Sequence, residues 1–389
     1  MKTSKILLLV LAFVSFGIIP ANAVMRKVPV YLYSLFSLEK PSDARIMALG
    51  NSLVADYSGN GASFSNPATL AMFKGVSASY HTRWFDYYNE LEDCRLQSYR
   101  ALLETPIGVF GLKYDRFDKE YDFVGTTVYS PGTLGYIETG ILNWRFFDYT
   151  AALSYGVNIT DNIAIGVNGK MFNQNAELSP GIVVDTLGNI MALASRSNPA
   201  YLCDIGLLFH FDGFLSESNI ADQISLGIAL QNFGSDLRIK YTTSAYDYIV
   251  QLPRYLRVGM SYSFRTNEDI PLLKCQISAE YRKWLNHEKG YEREVDFGGA
   301  GFEAKIFDLL FLRIGGESQP ITNVFGEEGT LNFRYGVGLS LSAKRIGIEL
   351  PLRMLFDYGV QPLNNNFYLD KKNMDVFSFK LMYDSSVFE

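Results

Sequence analysis

LRVGMSYSF, residues 256–264, decides the fold: Leu256, Val258, Met260, Tyr262 and Phe264 fall on one face of an extended chain, and Arg257, Gly259, Ser261 and Ser263 on the other. Successive side chains of a strand point to opposite faces, so a period of two describes a strand with one apolar and one polar face. The pattern recurs along the chain. Tyr149, Ala151, Leu153, Tyr155 and Val157 alternate with Asp148, Thr150, Ala152, Ser154 and Gly156. Ile224, Leu226, Ile228 and Leu230 alternate with Ser225, Gly227, Ala229 and Gln231, and Phe333, Tyr335, Val337, Leu339 and Leu341 with Arg334, Gly336, Gly338 and Ser340.

Alternation alone does not say which face is inside. A soluble sandwich buries its apolar face, whereas a membrane barrel turns that face to lipid. Loop lengths separate the two, because outer-membrane barrels alternate short turns at one end with longer loops at the other. The links expected at 105–108, 159–162, 306–309 and 343–345 are short, with 213–223 and 265–272 on the same side. Those at 118–146, 173–201, 319–331 and 357–374 are long, joined by 234–254 and 285–295. The order never breaks. It predicts strand starts near Gly75, Cys94, Val109, Phe147, Ile163, Leu202, Ile224, Tyr255, Leu273, Asp296, Leu310, Asn332, Ile346 and Asp375. The expected fold is therefore all-β, a transmembrane antiparallel β-barrel of about 14 strands. Strand-like pieces at 123–128 and 135–143 leave a count of 16 open. Phe377, Phe379, Leu381 and Tyr383 alternate near the chain end as a closing strand would, although six residues follow Tyr383.

One stretch does not fit the strand pattern: SDARIMALGNSLVADYSGNGASFSNPATL, residues 42–70. Small residues dominate it, Gly50, Gly59 and Gly61 permit backbone angles that bulkier residues resist, and Asn66-Pro67 signals a turn. It reads either as a surface loop with a short helix or as a segment packed closely inside other walls. The glycine-, serine- and alanine-rich polar strand faces leave room for the second reading, with Arg45 bonded to backbone carbonyls or lumenal carboxylates. The same faces carry Lys170, Arg257, Glu280, Arg282, Arg313, Glu317, Arg334, Glu349 and Arg353, whose mixed signs suit a paired interior network better than a single-sign field.

Composition bounds the rest. Lys2 and Lys5, the apolar run Ile6 to Ile19 and Ala21-Asn22-Ala23 supply the three parts of a secretory signal, with cleavage expected after Ala23. Loss of those two lysines takes Lys+Arg from 35 to 33 against 41 Asp+Glu, which argues against a nucleic-acid partner. The expected organisation is a signal peptide over 1–23, an N-terminal plug segment over 24–74 and the barrel over 75–389, in contact with outer-membrane lipid. Cys94, Cys203 and Cys275 are too dispersed for a disulfide framework or a metal cluster, and His81, His210 and His287 have no distinctive neighbours. No G-x-S-x-G, H-E-x-x-H, P-loop or G-x-G-x-x-G motif is present, so neither an enzyme nor a cofactor is expected.

DARIMALGNSLVAD followed by NPATLA, then QNFG, LPRYLRVGMSY, EY and LRIGGE, resembles the PorV/PorQ group within the FadL-like outer-membrane barrels. The resemblance spans most of the mature chain and implies a 14-stranded barrel with a lumenal N-terminal segment. Ala44, Arg45, Gly50, Asn66, Pro67 and Ala68 are then structural hatch positions. Two functions follow from it: accessory or substrate-binding work in type IX-like protein secretion, with other machinery components or secreted proteins as partners, or FadL-like uptake of hydrophobic small molecules. Polar lumen faces favour the first, since a hydrophobic path needs apolar lumen residues. Tyr246, Tyr248, Phe367 and Tyr368, in long loops, are the expected partner-binding anchors.

Overall fold

The computed structural model describes residues 26–28, 35–58, 65–84, 94–124, 141–179, 183–184, 190–191, 195–212, 220–241, 247–266, 272–286, 297–323, 326–348, 350–362 and 373–383. The expected signal peptide lies outside them.

The wall is a closed antiparallel barrel of 14 strands. The first five are β1 (Val76–Trp84), β2 (Arg95–Thr105), β3 (Gly108–Val124), β4 (Ile141–Thr160) and β5 (Ile163–Ser179). Three strands are broken in two: β6 (Ser195–Asn198 and Ala200–Asp212), β7 (Ile220–Gly234 and Leu237–Tyr241) and β8 (Asp247–Val250 and Tyr255–Thr266). The wall continues through β9 (Leu273–Trp284), β10 (Phe297–Ile306), β11 (Leu310–Asn323), β12 (Gly326–Ser342), β13 (Leu352–Pro362) and β14 (Asn373–Tyr383). β14 pairs back onto β1, from Tyr383 opposite Val76 to Asp375 opposite Trp84, so the wall closes on itself.

The barrel is turned inside out relative to a soluble protein. Along β14, Phe377, Phe379, Leu381 and Tyr383 are exposed while Met374, Val376, Ser378, Lys380 and Met382 are buried. β12 repeats this, with Phe333, Tyr335, Val337 and Leu339 outside and Arg334 and Ser340 within. Such a wall is stable only where hydrocarbon, rather than water, meets its outer face.

Three boundaries differ from the sequence expectation. Residues 123–124 and 141–143 extend β3 and β4, with Val124 opposite Ile141, and the rest of the pieces at 123–128 and 135–143 lies outside the described residues. The links at 118–146 and 319–331 are likewise shortened by strands that extend beyond the lipid-spanning pattern, down to Asn323 opposite Gly326. The strand expected from Ile346 begins instead at Leu352, and Ala343–Ile346 form a 3-10 turn closed by Gly347 at φ 80°.

The breaks in β6, β7 and β8 have local causes. Pro199 and Pro253 lack the N–H that a ladder requires. Asn232 adopts φ 61°, and Cys203 and Ile205 flank a register shift opposite it.

Residues 35–58 and 65–73 lie in the lumen, with the first near the long-loop end and the last near the short-turn end. Phe36–Glu39 (α1) and Ala44–Ala48 (α2) are short helices, followed by the 3-10 turn Pro67–Met72. Asp43 starts α2 by accepting from the backbone N–H groups of Arg45 (2.8 Å) and Ile46 (3.2 Å). Asn66 starts the 3-10 turn by accepting from Ala68 N–H at 3.0 Å, and Pro67, which has no N–H to satisfy, occupies the first position. A further short strand, Arg26–Val28, pairs parallel with Asp247–Val250.

Candidate functional site

The segment Asp43–Asp56 lies across the middle of the barrel, and its polar groups are bonded to the wall on several sides. Arg45 is the hub. Its Nε donates to Glu303 on β10 at 2.9 Å, its Nη1 to Asp56 at 2.7 Å, and its Nη2 to Gln276 on β9 at 3.3 Å. Glu303 also accepts from Arg313 on β11 at 2.5 Å, and Arg313 reaches Asp357 on β13 at 2.6 Å. Burial alone would push the Asp56 carboxyl up, but the Arg45 guanidinium beside it holds it below the usual carboxylate range. Burial likewise works against the Arg45 charge, and Asp56 and Glu303 more than compensate. On the other side of the segment Asp43 meets Arg100 of β2 at 3.3 Å, and the Ala44 N–H donates to Ser378 of β14 at 2.9 Å.

A second set of bonds holds Asn51 to Val54. Asn51 donates from Nδ2 to Glu317 at 3.0 Å, and its carbonyl accepts from Arg257 at 3.1 Å. Arg257 is fully buried and paired with Glu280, whose other oxygen accepts from the Val54 N–H at 2.9 Å. Glu317 further takes Arg282 at 2.6 Å and Arg334. Ser52 and Ser278 share a 2.7 Å hydroxyl contact. Nearer the short-turn end, Asn66 Nδ2 donates to the carbonyls of Val54 (2.7 Å) and Leu207 (2.9 Å).

Backbone meets backbone where the wall carries glycine. Gly50 sits at φ 63°, and a Cβ there would overlap the carbonyl of Gly316. A Cβ at Gly206 would overlap Asn66 Oδ1, and one at Gly166 would overlap the Pro67 peptide. The polar wall faces are therefore glycine-rich because the hatch occupies the space that side chains would fill.

The structure brings Ala44, Arg45, Gly50, Asn66, Pro67 and Ala68 together as buried positions of this hatch. Of the charged wall residues, Lys170 pairs with Asp204 at 2.6 Å, Arg353 pairs with Asp308 at 3.2 Å near the short-turn end, and Glu349 lies outside the described residues. So do Tyr246, Phe367, Tyr368 and His287. Tyr248 belongs to the first piece of β8, where its backbone pairs with Ile239 and Arg26. His81 contacts Ser378 (2.7 Å) and Ser79 (2.9 Å), and His210 stacks against Tyr57. Among the described residues no group of three His, Cys, Asp or Glu side chains could hold a metal ion.

The lumen is not polar throughout, which corrects the sequence reading. In its long-loop half Phe172, Leu202, Leu237, Ile239, Val250 and Leu252 turn inward and pack with Leu35 and Leu38 of the hatch. Two signals hid them. Leu237, Ile239 and Val250 fall in what reads as a loop, and the inward phase changes from even numbers (Val250, Leu252) to odd (Tyr255, Arg257) across Pro253.

The structure is similar to the Ralstonia pickettii toluene transporter TbuX, with 12% identity, a TM-score of 0.51, and 90% of this chain and 100% of that one covered. It is also similar to the Pseudomonas putida toluene transporter TodX (10%, TM-score 0.46, 90% and 98%) and to a Pseudomonas aeruginosa FadL homologue (14%, TM-score 0.43, 88% and 97%). No protein-family profile matches the chain, and no curated protein does. The likeness to TbuX is one of fold: both chains form a closed antiparallel β-barrel.

Proposed function

We propose that the protein is an outer-membrane uptake channel for small apolar solutes, exported by its N-terminal signal and closed at rest by residues 35–58 and 65–73. The observation that carries this reading is the apolar group in the long-loop half of the lumen. Leu35 and Leu38 cover it from the hatch side, so withdrawal of the hatch leaves Phe172, Leu202, Leu237, Ile239, Val250 and Leu252 lining a chamber. Apolar walls with a few placed polar groups are what a small hydrophobic ligand needs. The fold shared with a toluene transporter makes monoaromatic hydrocarbons the first solutes to test. Cells expressing the protein should take up labelled toluene faster than cells without it. Leu237→Asp, which places a charge in the chamber, should remove that advantage while the barrel still reaches the outer membrane as a heat-modifiable band.

A second reading, accessory work in type IX-like secretion as the PorV/PorQ resemblance implies, draws support from the filled lumen. A barrel whose interior is bonded to its own hatch can act through its long loops instead. Replacing Tyr246, Tyr248, Phe367 and Tyr368 together by Ala should then release a protein partner in pull-downs from solubilised membranes and leave toluene uptake unchanged.

A further inference from the structure

Beneath the hatch, at the short-turn end, lies a cavity of about 50 Å³ whose walls are rich in cations. Asp43, Arg45 and Ser58 of the hatch form part of its lining, and Lys274, Arg313 and Lys380 reach it from the wall. We propose that this cavity is an oxyanion site, taking a small monovalent anion with carboxylate or phosphate oxygens. The inference is independent of the uptake reading.

Every carboxylate around the cavity is already engaged. Asp56 and Glu303 hold Arg45, Glu303 and Asp357 hold Arg313, Asp43 holds Arg100, and Asp308 holds Lys305. Lys274 and Lys380 have no hydrogen bond or ion pair within reach among the described residues. Lys380 is nevertheless 8% exposed, and its ammonium faces the Phe73 ring at 5.8 Å. Arg313 is 4% exposed, and its Nη2 has no hydrogen-bond partner among the described residues. Elsewhere in the lumen the buried cations Arg257, Arg282 and Arg334 each meet a carboxylate.

A buried charge without a counterion is costly, and so is an unsatisfied buried donor. The local charge balance sets the valence. Arg45 and Arg313 against Asp56, Glu303 and Asp357 leave one negative charge, and Lys274 with Lys380 converts this to one positive charge. One monoanion neutralises it. The donors suit oxygen: two ammonium groups that present freely rotating N–H bonds, and one guanidinium nitrogen with a fixed direction. The route is short, since Lys274 is one residue from the start of β9 and Lys380 three from the end of β14, roughly 10 Å or less at about 3.3 Å per residue.

The test is isothermal titration of the purified, detergent-solubilised protein with inorganic phosphate and, separately, with acetate, at pH 6 in a buffer whose counter-anion is bulky. Saturable binding of either probe near one per chain is expected. Phosphate alone identifies free phosphate as the class, and acetate alone identifies carboxylates. Lys380→Met and Lys274→Met should each weaken binding at least tenfold, and Lys344→Met, on the exposed turn, should leave it unchanged. The bound probe should also raise the unfolding temperature of the wild type and not of Lys380→Met. Absence of saturable heat with both probes, or equal binding by Lys380→Met and the wild type, overturns the assignment.

Discussion

Arg45 of the hatch and Glu303 of the barrel wall, 258 positions apart in the chain, lie 2.9 Å from each other with both side chains buried. Because Arg45 also holds Asp56 at 2.7 Å, one guanidinium joins the two halves of the hatch to the wall. Arg45→Ala leaves buried Asp56 with only its neutral donors Gln276 and Ser58 and Glu303 with Arg313 alone, and removing one member of a buried pair costs about 3 to 5 kcal/mol. The cost should appear as faster hydrogen exchange at Ile46 to Leu53, with the exchange of wall amides little changed. Arg45→Lys should recover only part of it, since a lysine cannot donate in three directions from a planar fork.

The glycine contacts give a matched pair of substitutions. Gly206→Val pushes a side chain into Asn66, which bonds both to the hatch and to Leu207, and overpacking of this kind costs about 1 to 3 kcal/mol. Gly169→Val, on the outward face with nothing within 4 Å of its Cβ position, should change stability by less than about 0.5 kcal/mol. Urea unfolding of the two variants in detergent measures the difference.

Acid should loosen the hatch at Asp56. The Asp56 carboxyl lies below its ordinary value in the folded protein because of Arg45, although burial opposes this. A group of this kind contributes stability that is fully present above its unfolded value, about 3.9, and is lost as pH falls through the lower folded value. The Asp56 part of the hatch's protection should therefore be lost below about pH 4, as a decline that is present in the wild type and absent in Asp56→Asn. The same decline in Asp56→Asn as in the wild type would contradict the assignment.

Much of the wall was legible in the sequence. Alternation at Leu256 to Phe264 and Phe377 to Tyr383, with the parity of loop lengths, carried strand number and orientation because a lipid-facing strand must repeat every second residue. The wall closes with 14 strands rather than 16, and the described ends of the extra pieces, 123–124 and 141–143, lengthen β3 and β4. The partners of Arg45 were not legible, since nothing local relates residue 45 to residue 303. Nor was the apolar chamber, where Asn232 and Pro253 shift the phase of β7 and β8 and alternation read through them misassigns the faces.

The chamber makes its own prediction. Phe172→Ala enlarges it and Leu237→Asp charges it, so toluene uptake should fall strongly with the second and change little with the first. Equal uptake by Leu237→Asp and the wild type would place the solute path elsewhere.

Uptake through this barrel requires the hatch to leave its place, and one hydroxyl contact allows that movement to be locked. Ser52 Oγ and Ser278 Oγ are 2.7 Å apart, one on the hatch and one on β9. In the double variant Ser52→Cys with Ser278→Cys, oxidation should join the two. The direct measurement is the initial rate of labelled toluene uptake by cells carrying this variant, before and after reduction of the disulfide. The account predicts a rate at the level of cells lacking the protein when oxidised, and wild-type uptake when reduced. Uptake that is the same in both states, or that never depends on the protein, would contradict it.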